Sequence, residues 1–489
     1  MPNSNSSSID LQAVARQVML AHGFEPEFPA QVPAQLAQIE SHPPAVTPGN
    51  GARDLRALLW SSIDNDTSRD LDQIEVAEPV SGGATKIMIG IADVDAYVPK
   101  ASPIDQHAAR ETTTVYTGIR IFPMLPEELS TGITSLLENV DRIAMVVEFV
   151  VQSDGTLASH DVYRALVRNK AQLQYNSLGA WLEGKAAAPP KVAASTDLQS
   201  QLRLQDDAAQ RLKQQRFQHG ALNLQTDELQ PLIFNDQVVD VVKQQRNRGT
   251  DLIEDFMIAA NGVVARALEN VSSLRRIVRT PERWDRIVEL AAGKGTKLPA
   301  QPDSKALNDF LLQQKAADPN HFADLSLSVI KLIGPGEYVV ERPGETVSGH
   351  FGLAVHDYTH STAPNRRFAD VVSQRVLKAM LAGAVHPYGD DELTSIAANC
   401  TQKEDAARKV EREMAKRLAA VVMQTHINEV FDSIVTGVNE HGTFVRVLQP
   451  HVEGMLIQGH NGLDVGDRVR VRLVRADVQS GYIDFTRAG

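Results

Sequence analysis

Within residues 61–75, SSIDNDTSRDLDQIE, the carboxylates of Asp64, Asp66, Asp70 and Asp72 fall within nine positions. Carboxylates this close repel one another, so a fold that gathers them either leaves them in water or neutralises them with cations. A hydrated acidic surface is the plain alternative in an acidic chain. Counted from Asp64, the residues Asp66, Ser68, Asp70, Asp72 and Glu75 occupy the positions of a calcium-binding EF-hand loop. The sixth position of such a loop needs glycine and here is Arg69, and the residues that follow read as a strand instead of an exiting helix. Magnesium suits the stretch better, because it takes few protein carboxylates and leaves positions for water and a substrate phosphate. Manganese shares the preference for oxygen ligands.

A second chemically suggestive pattern lies near the C-terminus. In GTFVRV, Phe444 and Arg446 share one strand face opposite Val445 and Val447, an aromatic beside a cation, as stacking on a base and holding its phosphate would require. In VGDRVRVRLVRAD, Arg468, Arg470 and Arg472 alternate with Val469, Val471 and Leu473, one face basic and the other apolar. Strand arginines that merely solubilise a surface are the rival explanation. With VEGMLI and GYIDFT, the segment resembles the OB-fold RNA-binding domain of the ribosomal protein S-one type.

These residues need elements to hold them. The chain has 489 residues, 43% of them hydrophobic, enough for two to four domains with sizeable cores. Its 49 Lys and Arg against 61 Asp and Glu give a net charge of −12, which argues against adhesion to nucleic acid by overall charge; any such site must be local. The single cysteine, Cys400, excludes internal disulfides and cysteine-based zinc clusters. No apolar run approaches the roughly 18 residues of a membrane span, and the start lacks the order of a signal peptide, so a cytoplasmic protein, monomeric and without membrane contact, is expected.

Residues 9–40 show helical apolar spacing, and SHPPAVTPGNG then breaks the pattern. From 53 to 165 the runs are strand-like: KIMIGIADVDAYV alternates, and IAMVVEFVVQSDGTLASHDVYRALV reads as two strands around a Ser-Asp-Gly turn. Helical patterns such as DLIEDFMIAANGVVARALE dominate 166–425. The expectation is an α+β catalytic domain, a mixed sheet surrounded by helices, over 52–427. A small helical segment and linker over 1–51, with a helix-turn-helix-like contact or plain packing, precedes it, and a β-barrel OB fold over 428–489 follows.

The blocks ARDLRALLWSSIDNDTSRDLDQIE, IGIADVDAYV, TVYTGIRIFPMLPEELS, LIEDFMIAAN, HFGLAVHDYTHSTAPNRRFADVVSQRVL and KVEREMAKRL, in this order and separation, resemble the RNB catalytic domain of the RNase II and RNase R family. The resemblance implies a hydrolytic exoribonuclease that degrades single-stranded RNA processively from the 3′ end to nucleoside 5′-monophosphates. By that resemblance Asp64, Asp70 and Asp72 match three of four magnesium-holding aspartates, and Gln73 stands at the fourth. Arg366 matches the arginine that stabilises charge on the terminal phosphates, Arg367 offers a second phosphate contact, and Glu411 aligns with a glutamate near the leaving end, where a surface salt bridge is the rival. Tyr116 matches a tyrosine that positions the last nucleotide, Glu254 a glutamate that contacts the terminal sugar with Asp255 as its neighbouring alternative, Tyr175 an RNA anchor, and Leu224 the place of a base-clamping phenylalanine.

Two departures stand out. At about 4 Å and an effective dielectric of about 20, a neutral amide in place of a carboxylate forfeits roughly 8 kcal/mol of raw attraction to a divalent ion, much of it offset by desolvation no longer incurred. A weaker second metal site, or help from Asp66 or Asp93, follows. Moreover, residues 1–52 cannot contain the two cold-shock folds that precede the catalytic domain in well-known bacterial members. A catalytically weakened RNA-binding protein of the same fold is therefore the competing expectation.

Overall fold

The computed structural model describes residues 9–44, 51–225, 229–234, 237–243, 246–319 and 321–488. Two short helices come first, α1 (Leu11–Ala21) and α2 (Val32–Ser41). Asp10 caps α1 by accepting from the Gln12 and Ala13 amides, each at 3.0 Å. The apolar side of α1, Ala15, Val18 and Met19, is buried with Phe24 against Val115, Phe122, Val410 and Met414. This segment therefore shares its core with the α+β unit, since helices this short carry too little apolar surface to fold alone.

Alternating apolar residues then build one curled sheet from β1 (Arg53–Asp54), β2 (Trp60–Asp64), β3 (Gln73–Pro79), β4 (Thr85–Ala92), β7 (Asp141–Val151) and β8 (Leu157–Gln174). Between β4 and β7 lie α3 (Pro103–Glu111) and the small hairpin of β5 (Val115–Tyr116) and β6 (Ile121–Phe122). The order is β1-β8-β2-β3-β4-β7, and β8, 18 residues long, pairs with β7 from Leu157 to Arg168, with β1 at Ala165 and Leu166, and with β2 from Asn169 to Gln174, so the sheet closes on itself. The β7–β8 turn matches the Ser-Asp-Gly reading. Gly155 sits there at φ +83°, and a Cβ on it would meet the Arg211 carbonyl oxygen at 2.3 Å, so both conformation and space demand glycine.

One sheet face buries Ile63, Ile87, Ile89 and Ile91, and the other Trp60, Ile74, Val76 and Met88. The first face is covered by α4 (Tyr175–Leu182), the short α5 (Pro190–Ala193), α6 (Thr196–Gln218) and, beyond the hairpin β9 (Leu229–Phe234) and β10 (Gln237–Lys243), by α7 (Arg248–Ala267). Asn247 starts α7 with a capping box, accepting from the Gly249 and Thr250 amides while the Thr250 hydroxyl accepts from the Asn247 amide. Strands β11 (Ser273–Ile277) and β12 (Glu337–Glu341) pair across a helical insertion of α8 (Trp284–Gly293), α9 (Ser304–Ala317) and α10 (Phe322–Ile333), which has its own core around Trp284, Phe310 and Phe322. Helices α11 (Phe368–Leu381) and α12 (Asp390–Gln424) complete the α+β unit, with Cys400 buried in the core.

The last strands, β13 (Val430–Asn439), β14 (Gly442–Val447), β15 (Glu453–Gln458), β16 (Arg468–Asp477) and β17 (Tyr482–Arg487), form a closed barrel. Its interior holds Val445, Val447, Val471, Leu473 and Phe485, while Arg468, Arg470 and Arg472 point outward, as the alternation requires. Ala420 and Met423 from the end of α12 join this core and tie the barrel to the α+β unit.

Candidate active site

The acidic residues collect where strand ends meet. Asp64 closes β2, Gln73 opens β3, and Asp64 pairs with Gln174 of β8, after which Tyr175 begins α4. Asp64, Asp70, Asp72, Gln73, Tyr116, Tyr175 and Arg366 line one cleft of about 200 Å³, with Thr362 and the α7 side chains of Ile253 and Met257 completing the wall. A strand, not a helix, follows the acidic loop, so the EF-hand geometry is absent.

Arg366 reaches the site through backbone stitching. The Thr114 amide donates to the Arg366 carbonyl at 3.0 Å and the Phe368 amide to the Thr112 carbonyl at 2.8 Å, which sets the arginine loop beside the segment leading to Tyr116. Buried Asp370 fixes the same loop by accepting from the Ala363 amide at 2.8 Å and from Arg367 Nη2 and Nε at 2.7 and 2.9 Å. Arg367 is thus engaged as an anchor of this loop, because a fully buried carboxylate claims its fork. It also borders a neighbouring cavity with Tyr116, Arg366, Glu404, Arg408 and Glu411.

Asp72, 2% exposed, accepts from the Asn365 amide at 2.9 Å and from Arg366 Nε at 3.2 Å. Burial outweighs the attraction of Arg366 and pushes its carboxyl up to about 7. Burial also raises Asp64, whose Oδ1 accepts from the Asn65 amide at 2.7 Å and the Ser68 hydroxyl at 2.8 Å. The Tyr116 phenol donates to Asp70 at 3.2 Å, and the Tyr116 amide donates to Glu411 at 3.2 Å, so Glu411 holds the tyrosine backbone and is raised by its own burial. Desolvation raises the phenols of Tyr116 and Tyr175 as well, keeping both as neutral donors.

As the side chains stand, the described residues contain no group of three His, Cys, Asp or Glu set to hold a metal ion. Asp72 is turned to Arg366, Asp70 to the Tyr116 phenol and Asp64 to Ser68. The donors are nonetheless all oxygen, the set magnesium and manganese prefer, and burial disfavours the charged forms of Asp64 and Asp72, a cost that a bound cation would offset.

Several sequence expectations land elsewhere. Glu254 is turned to Arg246 and does not line the cleft; one helical position away, Ile253 does. Asp255 is buried against Arg216, its carboxyl pushed up to about 6 by burial. Leu224 packs against the core of the helical insertion. Phe444 and Arg446 do point outward from the barrel, but into a cleft facing α10, where Asp324 meets Arg446 at 2.8 Å; the pair is half-buried, not an open stacking platform. Neither expected helper of Gln73 is available: Asp66 is exposed outside the cleft, and buried Asp93 is held by Arg164 at 3.2 Å and Lys378 at 2.8 Å. Sequence reasoning missed Asn365, Thr362, Ile253 and Met257, and it saw Glu75 only as a calcium-loop position. Glu75 lies fully buried on β3, its carboxyl held well above the usual range by burial and by Asp64. A charged residue in phase with Gln73 inside an apolar strand was its one visible signal.

A closed sheet carrying an acidic cleft opposite a fixed arginine, followed by a five-stranded barrel, matches two family descriptions: RNB domain over residues 52–383, and RNase II-type exonuclease C-terminal S1 domain over 429–488. The chain belongs to the ribonuclease II/R family of exoribonucleases. It is 30% identical to ribonuclease R of Thermotoga maritima, covering 98% of this chain and 70% of that protein. It is 28% identical to ribonuclease R of Escherichia coli, covering 94% and 60%. Its fold matches that of Mycoplasma genitalium RNase R in complex with ribose-methylated single-stranded RNA, with a TM-score of 0.85 at 21% identity, covering 98% of this chain and 78% of the other. The chain therefore spans 60 to 70% of the length of these two curated relatives.

Proposed function

We propose that this protein is a magnesium-dependent hydrolytic exoribonuclease that degrades single-stranded RNA from the 3′ end, processively, to nucleoside 5′-monophosphates, with manganese able to replace magnesium. The observation that carries this reading is the convergence, in one cleft, of Asp64, Asp70, Asp72 and the Gln73 amide opposite Arg366. Asp64, Asp70, Asp72 and Gln73 would hold the cation, which when bound supplies Lewis-acid stabilisation of phosphate charge and a more acidic water. The remaining work falls to the chain itself. Arg366 has its Nε on Asp72 and is about half exposed, 48%, so its guanidinium can meet a phosphate oxygen entering the cleft. Tyr116, 39% exposed at the cleft edge, offers its ring to the last base while its amide stays on Glu411. Ile253 and Met257 give the cleft an apolar wall that excludes water. The binding of single-stranded RNA by the Mycoplasma relative supports the same substrate class here.

End-labelled single-stranded RNA incubated with the full chain tests this. Mononucleotides with magnesium, none with EDTA and none from Asp72→Asn are expected; a ladder independent of the metal would refute it. Gln73 favours a second reading, a catalytically weakened RNA-binding protein. That reading predicts RNA affinity without magnesium-dependent product, and product formation in Gln73→Asp.

A further inference from the structure

Glu75 is 0% exposed, and neither of its carboxylate oxygens has a hydrogen-bond partner. A buried ionisable group without partners is among the most costly features a fold can carry, so its retention calls for a function or a partner. Its position is informative. It lies two residues from Gln73 on β3, which puts both side chains on one face of the strand, and Gln73 lines the acidic cleft. Across the ladder it stands opposite Ser61 of β2, the strand that ends in Asp64. The charges of Glu75 and Asp64 act on one another, and Glu75 acts on the Tyr175 phenol, so the carboxylate lies within electrostatic reach of two cleft-lining groups.

We propose that Glu75 is a positioning residue of the cation site. Buried behind Gln73 on the same strand face, its carboxyl would supply, once a cation is bound, the negative charge that the neutral Gln73 amide lacks, so the two residues together would do what one carboxylate at position 73 would do. The proposal rests on the cation reading above. It also accounts for Asp66 and Asp93 standing outside the arrangement, the first in solvent and the second committed to Arg164 and Lys378. The rival is a purely structural polar group: the Ser61 hydroxyl and the Gln205 amide, the latter on α6 that packs over β3, are also buried without partners.

Manganese binding, followed by the EPR signal of free Mn2+, separates the two, with thermal melting in EDTA measured in parallel on the full chain. Glu75→Gln, which keeps the shape, is expected to weaken Mn2+ binding about tenfold or more while leaving the EDTA melting temperature unchanged or higher. Gln73→Asp/Glu75→Gln, which moves the charge back to position 73, is expected to restore wild-type affinity. In the wild-type background Gln73→Asp, which does not touch the buried position, should gain less than about threefold, because the charge is already supplied. Unchanged Mn2+ affinity with a lowered melting temperature in Glu75→Gln overturns the proposal in favour of the structural role, and a tenfold gain in Gln73→Asp alone overturns it independently. Absence of Mn2+ binding by the wild-type chain, or binding undiminished in Asp72→Asn, instead removes the cation reading and the proposal with it.

Discussion

Replacing Asp72 by asparagine should make the protein more stable and inactive at once. The carboxyl is 2% exposed and its pKa is pushed from 3.8 to about 7. Keeping it ionised therefore costs the folded chain up to roughly 4 kcal/mol, at about 1.36 kcal/mol per pH unit, with relaxation around the variant reducing the recoverable part to about 1–3 kcal/mol. Asparagine keeps the acceptor for the Asn365 amide, and Arg366, half exposed, regains water when its partner loses charge. The direction with pH follows from proton binding. A carboxyl raised in the folded state binds more protons folded than unfolded between pH 4 and 7, so wild-type stability falls as pH rises through that window and is level above it. An asparagine at this position has no such dependence, so the advantage of the variant should be near zero at pH 4 and complete at pH 8. Melting temperatures of both proteins in EDTA at the two pH values measure it, beside digestion of labelled RNA with magnesium. A variant less stable than wild type at pH 8, a difference that ignores pH, or undiminished digestion would each refute the reasoning.

Arg366→Lys should lower the digestion rate about a hundredfold or more, since a point charge replaces a planar fork, while RNA affinity measured by fluorescence polarisation changes only a few-fold. His107, buried against Phe28 with ring centroids 4.4 Å apart, has its pKa lowered by burial to about 4. Its contribution is complete above pH 6.5 and is lost as pH falls toward 4, so wild-type urea midpoints should drop between pH 7.5 and 5, by up to about 2 kcal/mol in stability relative to His107→Leu; parallel midpoints would contradict this. Gly179→Ala places a Cβ 2.2 Å from Oδ1 of Asn247, the cap of the helix that carries Ile253 and Met257. A loss of about 1–2 kcal/mol in chemical denaturation is expected.

Local pattern made much of this legible. Alternation in KIMIGIADVDAYV and VRVRLVRAD located strands β4 and β16, and in β16 the inward face as well, because a period of two is imposed by the strand itself. The acidic loop was visible for the same reason: its residues are neighbours in the chain. Glu254 shows the limit. On α7 it lies one step around the helix from the cleft, and only packing against the sheet decides that Ile253 and Met257 face inward while Arg246 draws the carboxylate away. The Phe444–Arg446 pair was placed on the right barrel face, yet the sequence could not show that α10 stands opposite and supplies Asp324.

By itself, then, the sequence determined the donor types, the neutral residue among them, the strands that end at the cleft and the barrel that follows, all matters of local spacing. Only the tertiary structure brought Arg366 to 3.2 Å from Asp72, across 294 positions of chain. It likewise gave Arg367 to Asp370, Asp93 to Lys378, and a sealed place behind Gln73 to Glu75. Those pairings depend on how distant segments pack, and packing sets both the burial that moves a carboxyl's pKa and the partner that claims its charge.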